Sequence, residues 1–264
     1  MFRNATRLFF MAAGCLVMAA AQDQPGYVRD YCVKAAPGKG GELADMLREI
    51  TPKVMRVRID EGHAAWGLVL SSVVPAGAAA RCDFHVVYGY NGFPPEVPTA
   101  EQVTAELKKA GLHMTGADWT AKRDSLSSLV NLDIWQARAE TGPLLEKGQY
   151  ARMNYYRVKP GQQAAWLKLE TTGWMPFVAS LKDAGLGWHL LTLAMPSGEY
   201  LHYNGLTVDT FPNWAALGQG VPFNTAWPKA HPDMPVADYM DLVANMVERY
   251  RTDVVQVLEV VAPK

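Results

Sequence analysis

Cysteine is scarce: three residues in 264, at Cys15, Cys32 and Cys82. That excludes a disulfide framework, and the spacing matches no zinc, haem-attachment or redox motif, so no metal is expected. No basic block exists either. Lys and Arg number 25 against 26 Asp and Glu, for a formal net charge of -1, which argues against nucleic acid as a partner. The chain contains no H-E-x-x-H, no G-x-S-x-G, no P-loop and no G-x-G-x-x-G. Long apolar runs are also missing. The longest, Leu8 to Ala20, is too short for a comfortable membrane span.

That run reads as part of a secretory signal. Arg3 and Arg7 precede it, and Ala19-Ala20-Ala21 supplies small residues for cleavage after Ala21. A lipoprotein box at Cys15 and an uncleaved anchor are the competing readings; the first has Ala12 where Leu is wanted. Cleavage removes Arg3 and Arg7 and takes the charge from -1 to -3. A periplasmic or secreted protein with no membrane contact after cleavage is expected. Cys32 and Cys82 could then form one bridge.

What remains is an ordinary globular balance, 49% hydrophobic, 19% charged and 10% aromatic, with enough apolar material for a core. Its main feature is a repeat. At an offset of 123 residues Tyr27 falls on Tyr150, Arg29 on Arg152, Lys34 on Arg157, Pro37 on Pro160 and Gly38 on Gly161. With a drift of a residue or two, Pro52 then matches Pro176, Trp66 matches Trp188, Pro75 matches Pro196 and Gly77 matches Gly198. The order never breaks, and such a repeat bears on the whole fold.

Each copy opens with an alternating strand, Tyr27 to Lys34 and Tyr150 to Val158, ended by Pro-Gly. A helix follows, with Leu43, Met46, Leu47, Ile50, Val54 and Val57 on one face in the first copy. Trp166, Leu169, Phe177 and Leu181 play that part in the second. Pro52 and Pro176 predict a bend in each. Strands start at Trp66 and Trp188, where packing is the expected role of the ring. Third strands are read in "CDFHVVYGY" and "YLHYNGLTV". Helices are predicted at 100–110, 118–126 and 236–250, and last strands in "SLVNLDIWQARA" and "DVVQVLEVVA". The order β-α-β-β-α-β is the split ferredoxin-like pattern. The expected division is a signal peptide at 1–21, a first module at 22–145 and a second at 146–264, linked by Glu140 to Gln149.

A strand opening with Tyr and Arg, then Pro-Gly, a proline-bent helix and a Trp-led strand resembles the dimeric α/β barrel superfamily. That group includes NIPSNAP-like proteins, antibiotic-biosynthesis-type monooxygenases, EthD-like proteins, chlorite dismutases and dye-decolourising peroxidases. The resemblance implies an α+β fold in which two tandem ferredoxin-like modules of one chain form a pseudo-dimeric barrel. The chain would act as a monomeric pseudo-dimer or a homodimer. It also implies two kinds of function: a small-molecule-binding protein with an interior cavity, or a cofactor-independent enzyme of monooxygenase or isomerase type. A structural role fits if side chains fill the interior. No cofactor is expected, with haem as the less favoured alternative that the resemblance leaves open. Haem-binding relatives use a His on a helix, whereas His113 and His231 lie in Gly- or Pro-bearing stretches.

Alternation sorts candidate interior residues, on the premise that polar positions face inward. The first strand offers Arg29 and Tyr31, the third His85, and the last Asn131, Asp133 and Trp135. The second copy offers Arg152, Asn154 and Tyr156, then His202 and Asn204. In a cavity, Trp and Tyr would stack on a small organic molecule, Arg would meet an anionic group and His could shuttle a proton. A purely structural reading stands beside this: Arg29 and Arg152 pair with carboxylates such as Asp133, and His85 and His202 lie at an edge or on the surface.

Overall fold

The computed structural model describes residues 26–143, 145–196 and 202–264. The signal-peptide reading and the Gly77–Gly198 match therefore fall outside the described residues, wholly or in part. No helix among the described residues is long and apolar enough to cross a membrane.

The first half runs β1 (Tyr27–Ala35), α1 (Gly40–Glu49), α2 (Thr51–Asp60), β2 (Trp66–Val74), β3 (Phe84–Tyr90), α3 (Ala100–Lys109), α4 (Gly116–Leu126) and β4 (Ser127–Thr141). The second runs β5 (Tyr150–Val158), α5 (Gln163–Leu169), a π turn (Glu170–Trp174), α6 (Met175–Ala179), β6 (Gly187–Met195) and β7 (Gly205–Phe211). It closes with α7 (Trp214–Gln219), α8 (Phe223–Ala230), α9 (Val236–Met246) and β8 (Val247–Val261). The architecture is α+β, with eight antiparallel strands closed into a barrel in the order β1-β3-β2-β8-β5-β7-β6-β4, where β4 returns to β1. The halves join at two seams, β2 with β8 and β4 with β6. Closure leaves the barrel no free sheet edge along its paired length.

Local chemistry explains the elements. Both Pro-Gly turns place glycine in left-handed backbone, Gly38 at φ 75 and Gly161 at φ 77, where a side chain would be strained. Both matched prolines mark a change in the helical run. They stand at the start of a second segment, α2 and α6, because proline offers no N–H to the preceding turn. In the first half the chain breaks at Ile50, and in the second a π turn absorbs the mismatch. Thr99 and Thr115 cap α3 and α4 with reciprocal capping boxes. Three sequence expectations shift. β7 starts at Gly205, with Tyr200 and Leu201 of the strand read from the sequence lying outside the described residues; the helix predicted to Tyr250 ends at Met246; and α7 and α8 are additional.

Three apolar clusters make the core. One packs Leu43, Met46, Leu47 and Met55 on Val33, Phe84 and Tyr88; a second packs Trp166, Phe177, Trp227 and Tyr239 on Tyr156, Trp188 and Phe211. The third fills the barrel with side chains from all eight strands, among them Val28, Leu70, Val87, Trp135, Met153, Tyr155, Leu191, Leu206 and Val255. A small barrel closes in this way, with an interior wide enough for side chains.

Candidate functional site

Val28 and Val87 point into the barrel, so Asp30 and His85, two positions away on β1 and β3, do too. Asp30 holds His85 Nδ1 at 2.9 and 3.0 Å from its two oxygens, and both residues are buried. Asp133 and Asn131 alternate with interior Trp135 on β4, and Asp253 and Arg251 with interior Val255 on β8. Arg251 meets Asp253 at 2.9 Å and lies 4.4 Å above the ring of Tyr155. Tyr203, just before β7, donates to Asp133 Oδ2 at 2.7 Å, accepts from Arg81 at 3.3 Å and stacks on Trp135. The Cys32–Cys82 disulfide ties β1 to the segment that carries Arg81, with Cα atoms 5.3 Å apart.

These groups feel one another. Burial works against a charged His85, but the adjacent Asp30 carboxylate, with Asp253 beyond it, raises its affinity for a proton. Burial raises Asp133 and Asp253 above the usual carboxylate range, and each is pushed further by Asp30. Ten buried side-chain polar atoms have no hydrogen-bond partner among the described residues, and five of them belong to this group: His85 Nε2, Trp135 Nε1, Arg251 Nε, Asp253 Oδ1 and Asn131 Oδ1. Such atoms are rare in cores built only for packing.

Of the residues sorted from the sequence, His85, Asn131, Asp133 and Trp135 do lie on the interior face. Arg29, Tyr31, Arg152, Asn154 and Tyr156 do not, because β1 and β5 present the opposite face to the helices. Arg29 donates to the Pro95 carbonyl and sits over Tyr90, while Tyr31 packs with the first helical layer. Arg152 and Asn154 both donate to Asp209 Oδ2, at 3.0 Å, and Tyr156 belongs to the second helical layer. Polar residues of β1 and β5 find partners on the outer face, Arg29 at a backbone carbonyl and Arg152 and Asn154 at Asp209, so the premise that polar means interior fails there. His202 is exposed and stacked on Tyr250, and Asn204 caps β5 through Val158 N at 2.7 Å. Sequence reading missed Asp30, Arg251, Asp253 and Tyr203. The strand register supplies the missing signal for one of them, since Asp253 on β8 occupies the position that Asp133 holds on β4.

Haem does not suit the residues under the second-half helices. His231 spends Nε2 on the Gly173 carbonyl at 2.7 Å, and Trp166, Trp174, Phe177 and Trp227 occupy the layer beside it. Among the described residues no cluster of three metal-ligating side chains occurs.

No protein-family model and no curated protein matches the sequence. Solved structures do match the fold. A candidate monooxygenase from Lactobacillus acidophilus NCFM superposes with a TM-score of 0.54 at 10% identity, over 91% of this chain and 97% of that one. An anthrone oxidase-like protein gives 0.53 at 14%, over 90% and 93%. A candidate dyp-type peroxidase from Shewanella oneidensis gives 0.51 at 9%, over 90% and 94%. The chain therefore shares its fold with these proteins; at such identities the likeness concerns fold alone.

Proposed function

We propose that the chain is an exported protein, a tandem duplication folded as a pseudo-dimer, that binds a small organic molecule at one end of its barrel. The observation that carries this reading is the group of buried, unpartnered polar atoms on His85, Trp135, Arg251, Asp253 and Asn131. A barrel end built only for packing would bring apolar side chains there, as the opposite wall does with Met153 and Leu206. The matched strands and Pro-Gly turns support the duplication, and the paired Cys32 and Cys82 agree with export to an oxidising compartment.

The test is native mass spectrometry of protein purified from its own host. A carried small molecule, lost in both His85→Ala and Arg251→Met, is the expected result. Retention in both variants refutes the assignment.

One observation favours a second reading, a cofactor-independent enzyme. Asp30 fixes the His85 ring through Nδ1 and leaves Nε2 to exchange a proton, the arrangement a general base needs. A turnover abolished by His85→Gln with ligand binding retained would move the protein from binder to catalyst.

A further inference from the structure

Arg29, Arg58 and Arg152 lie outside the barrel wall, and two of them pair alike. Arg58 offers the Nε and Nη2 edge of its guanidinium to Glu106 Oε2, at 3.0 and 2.7 Å. Arg152 offers the same edge to Asp209 Oδ2, at 3.1 and 3.0 Å. Arg29 has no carboxylate on that edge. It is 4% exposed, its Nη2 donates to the Pro95 carbonyl, and its Nε has no partner among the described residues. Strand register explains the difference. Arg152 stands beside Asp209 across β5 and β7, whereas Arg29 stands beside Tyr88 across β1 and β3. The Tyr88 ring already lies under Arg58, 5.1 Å away. Asp30 and Asp133 face the barrel interior, where they meet His85 and Tyr203. A buried guanidinium is thus left with one neutral acceptor, a costly state that an anion would relieve.

The cover over Arg29 is residues 91–98, the irregular stretch between β3 and α3. Among the described residues its sole hydrogen bond is the one from Arg29 to Pro95. Phe93 and Val97 are exposed, and Phe93 leans edge-on against Tyr27 with ring centroids 5.3 Å apart. A surface stretch held so lightly opens at low cost. When it lifts, the Pro95 carbonyl gives up Nη2, and both donors of the edge come free. We infer that Arg29 forms a second binding site, separate from the barrel end, which takes a small aromatic monocarboxylate. The carboxylate replaces the Pro95 carbonyl and bridges Nε and Nη2, the geometry that Arg58 and Arg152 already use. The aromatic body rests among Tyr27, Tyr90 and Phe93; Tyr90 lies 5.5 Å from the guanidinium. One unmatched positive charge fits a monoanion, whereas the second charge of a phosphate would stay buried and unpaired.

Benzoate and benzamide, nearly equal in shape, test this at neutral pH by calorimetry. The carboxylate should bind at least about tenfold tighter than the amide. That preference should vanish in Arg29→Met. Arg29→Lys keeps the charge but loses the paired donors, and should fall between the two. In the unmodified protein, the amide NMR signals of Phe93, Glu96 and Val97 should move as benzoate is added, a readout that stands even if neither variant folds. No preference for benzoate, or a preference kept by a folded Arg29→Met, overturns the inference. So do signals that stay fixed at 91–98 while those of Asn131, Asp133 and Trp135 move, because benzoate would then sit at the barrel end and not at Arg29.

Discussion

At the scale of single residues, burial and pairing separate structural ions from the candidate site. Asp209 is buried and accepts from both Arg152 and Asn154. Asp209→Ala should cost about 2 kcal/mol, less than the about 3–5 kcal/mol of a fully buried broken pair because Arg152 is partly exposed to water. A urea titration measures it, and an unchanged midpoint would contradict the pairing. His85 behaves differently. Its proton affinity is raised in the folded chain, so the stability that its pair with Asp30 contributes is full below the unfolded His pKa. That stability is lost as pH rises through the raised one. Asp30→Asn removes the countercharge and should lower the His85 pKa, flattening this dependence. Imidazole titration by NMR follows the shift, and an unmoved pKa would mean that Asp30 is not the cause.

At the scale of elements, the π turn is the informative departure from regular structure. It buries Glu170, which accepts from Trp166 Nε1 at 3.1 Å. Burial, with Asp209 nearby, pushes its carboxyl up to about 8 from 4.5. The folded chain holds a proton there that the unfolded chain releases, so stability falls as pH rises across that window. Glu170→Gln should leave stability little changed at acid pH and raise it above about pH 8. Chemical denaturation on both sides of the window checks this; parallel curves for the two proteins would exclude Glu170 as the source. The disulfide is likewise an element-scale device, closing a loop of 50 residues between two buried sulfurs. The double variant Cys32→Ala, Cys82→Ala should lose about 2–4 kcal/mol. It should also loosen the segment bearing Arg81, which hydrogen exchange would report.

At the scale of the whole molecule, the seams β2–β8 and β4–β6 make one barrel of two halves. Separated, each half would expose the interior cluster and two strand edges. Residues 22–145 and 146–264 expressed alone should therefore fail to fold cooperatively as monomers. Two halves that melt cooperatively as monomers would falsify this account.

The strands from Tyr27 and Tyr150, an irregularity of the helices at Pro52 and Pro176 and the interior places of Asn131, Asp133 and Trp135 were legible in the sequence. Each depends on local chemistry: a two-residue alternation, a missing N–H, a glycine that tolerates positive φ. The faces of β1 and β5 were not legible, because both sides of these strands are buried and both carry polar residues. Alternation says which residues share a face but not which face looks inward. That choice belongs to tertiary packing, where Arg29 meets the Pro95 carbonyl and Arg152 meets Asp209 on the outer face while closure turns Asp30 toward His85. Asp253 and Arg251 could not be joined to His85 from the sequence either, since they lie 168 and 166 residues further along the chain. Only barrel closure, which depends on the register of every seam at once, brings them together in the interior.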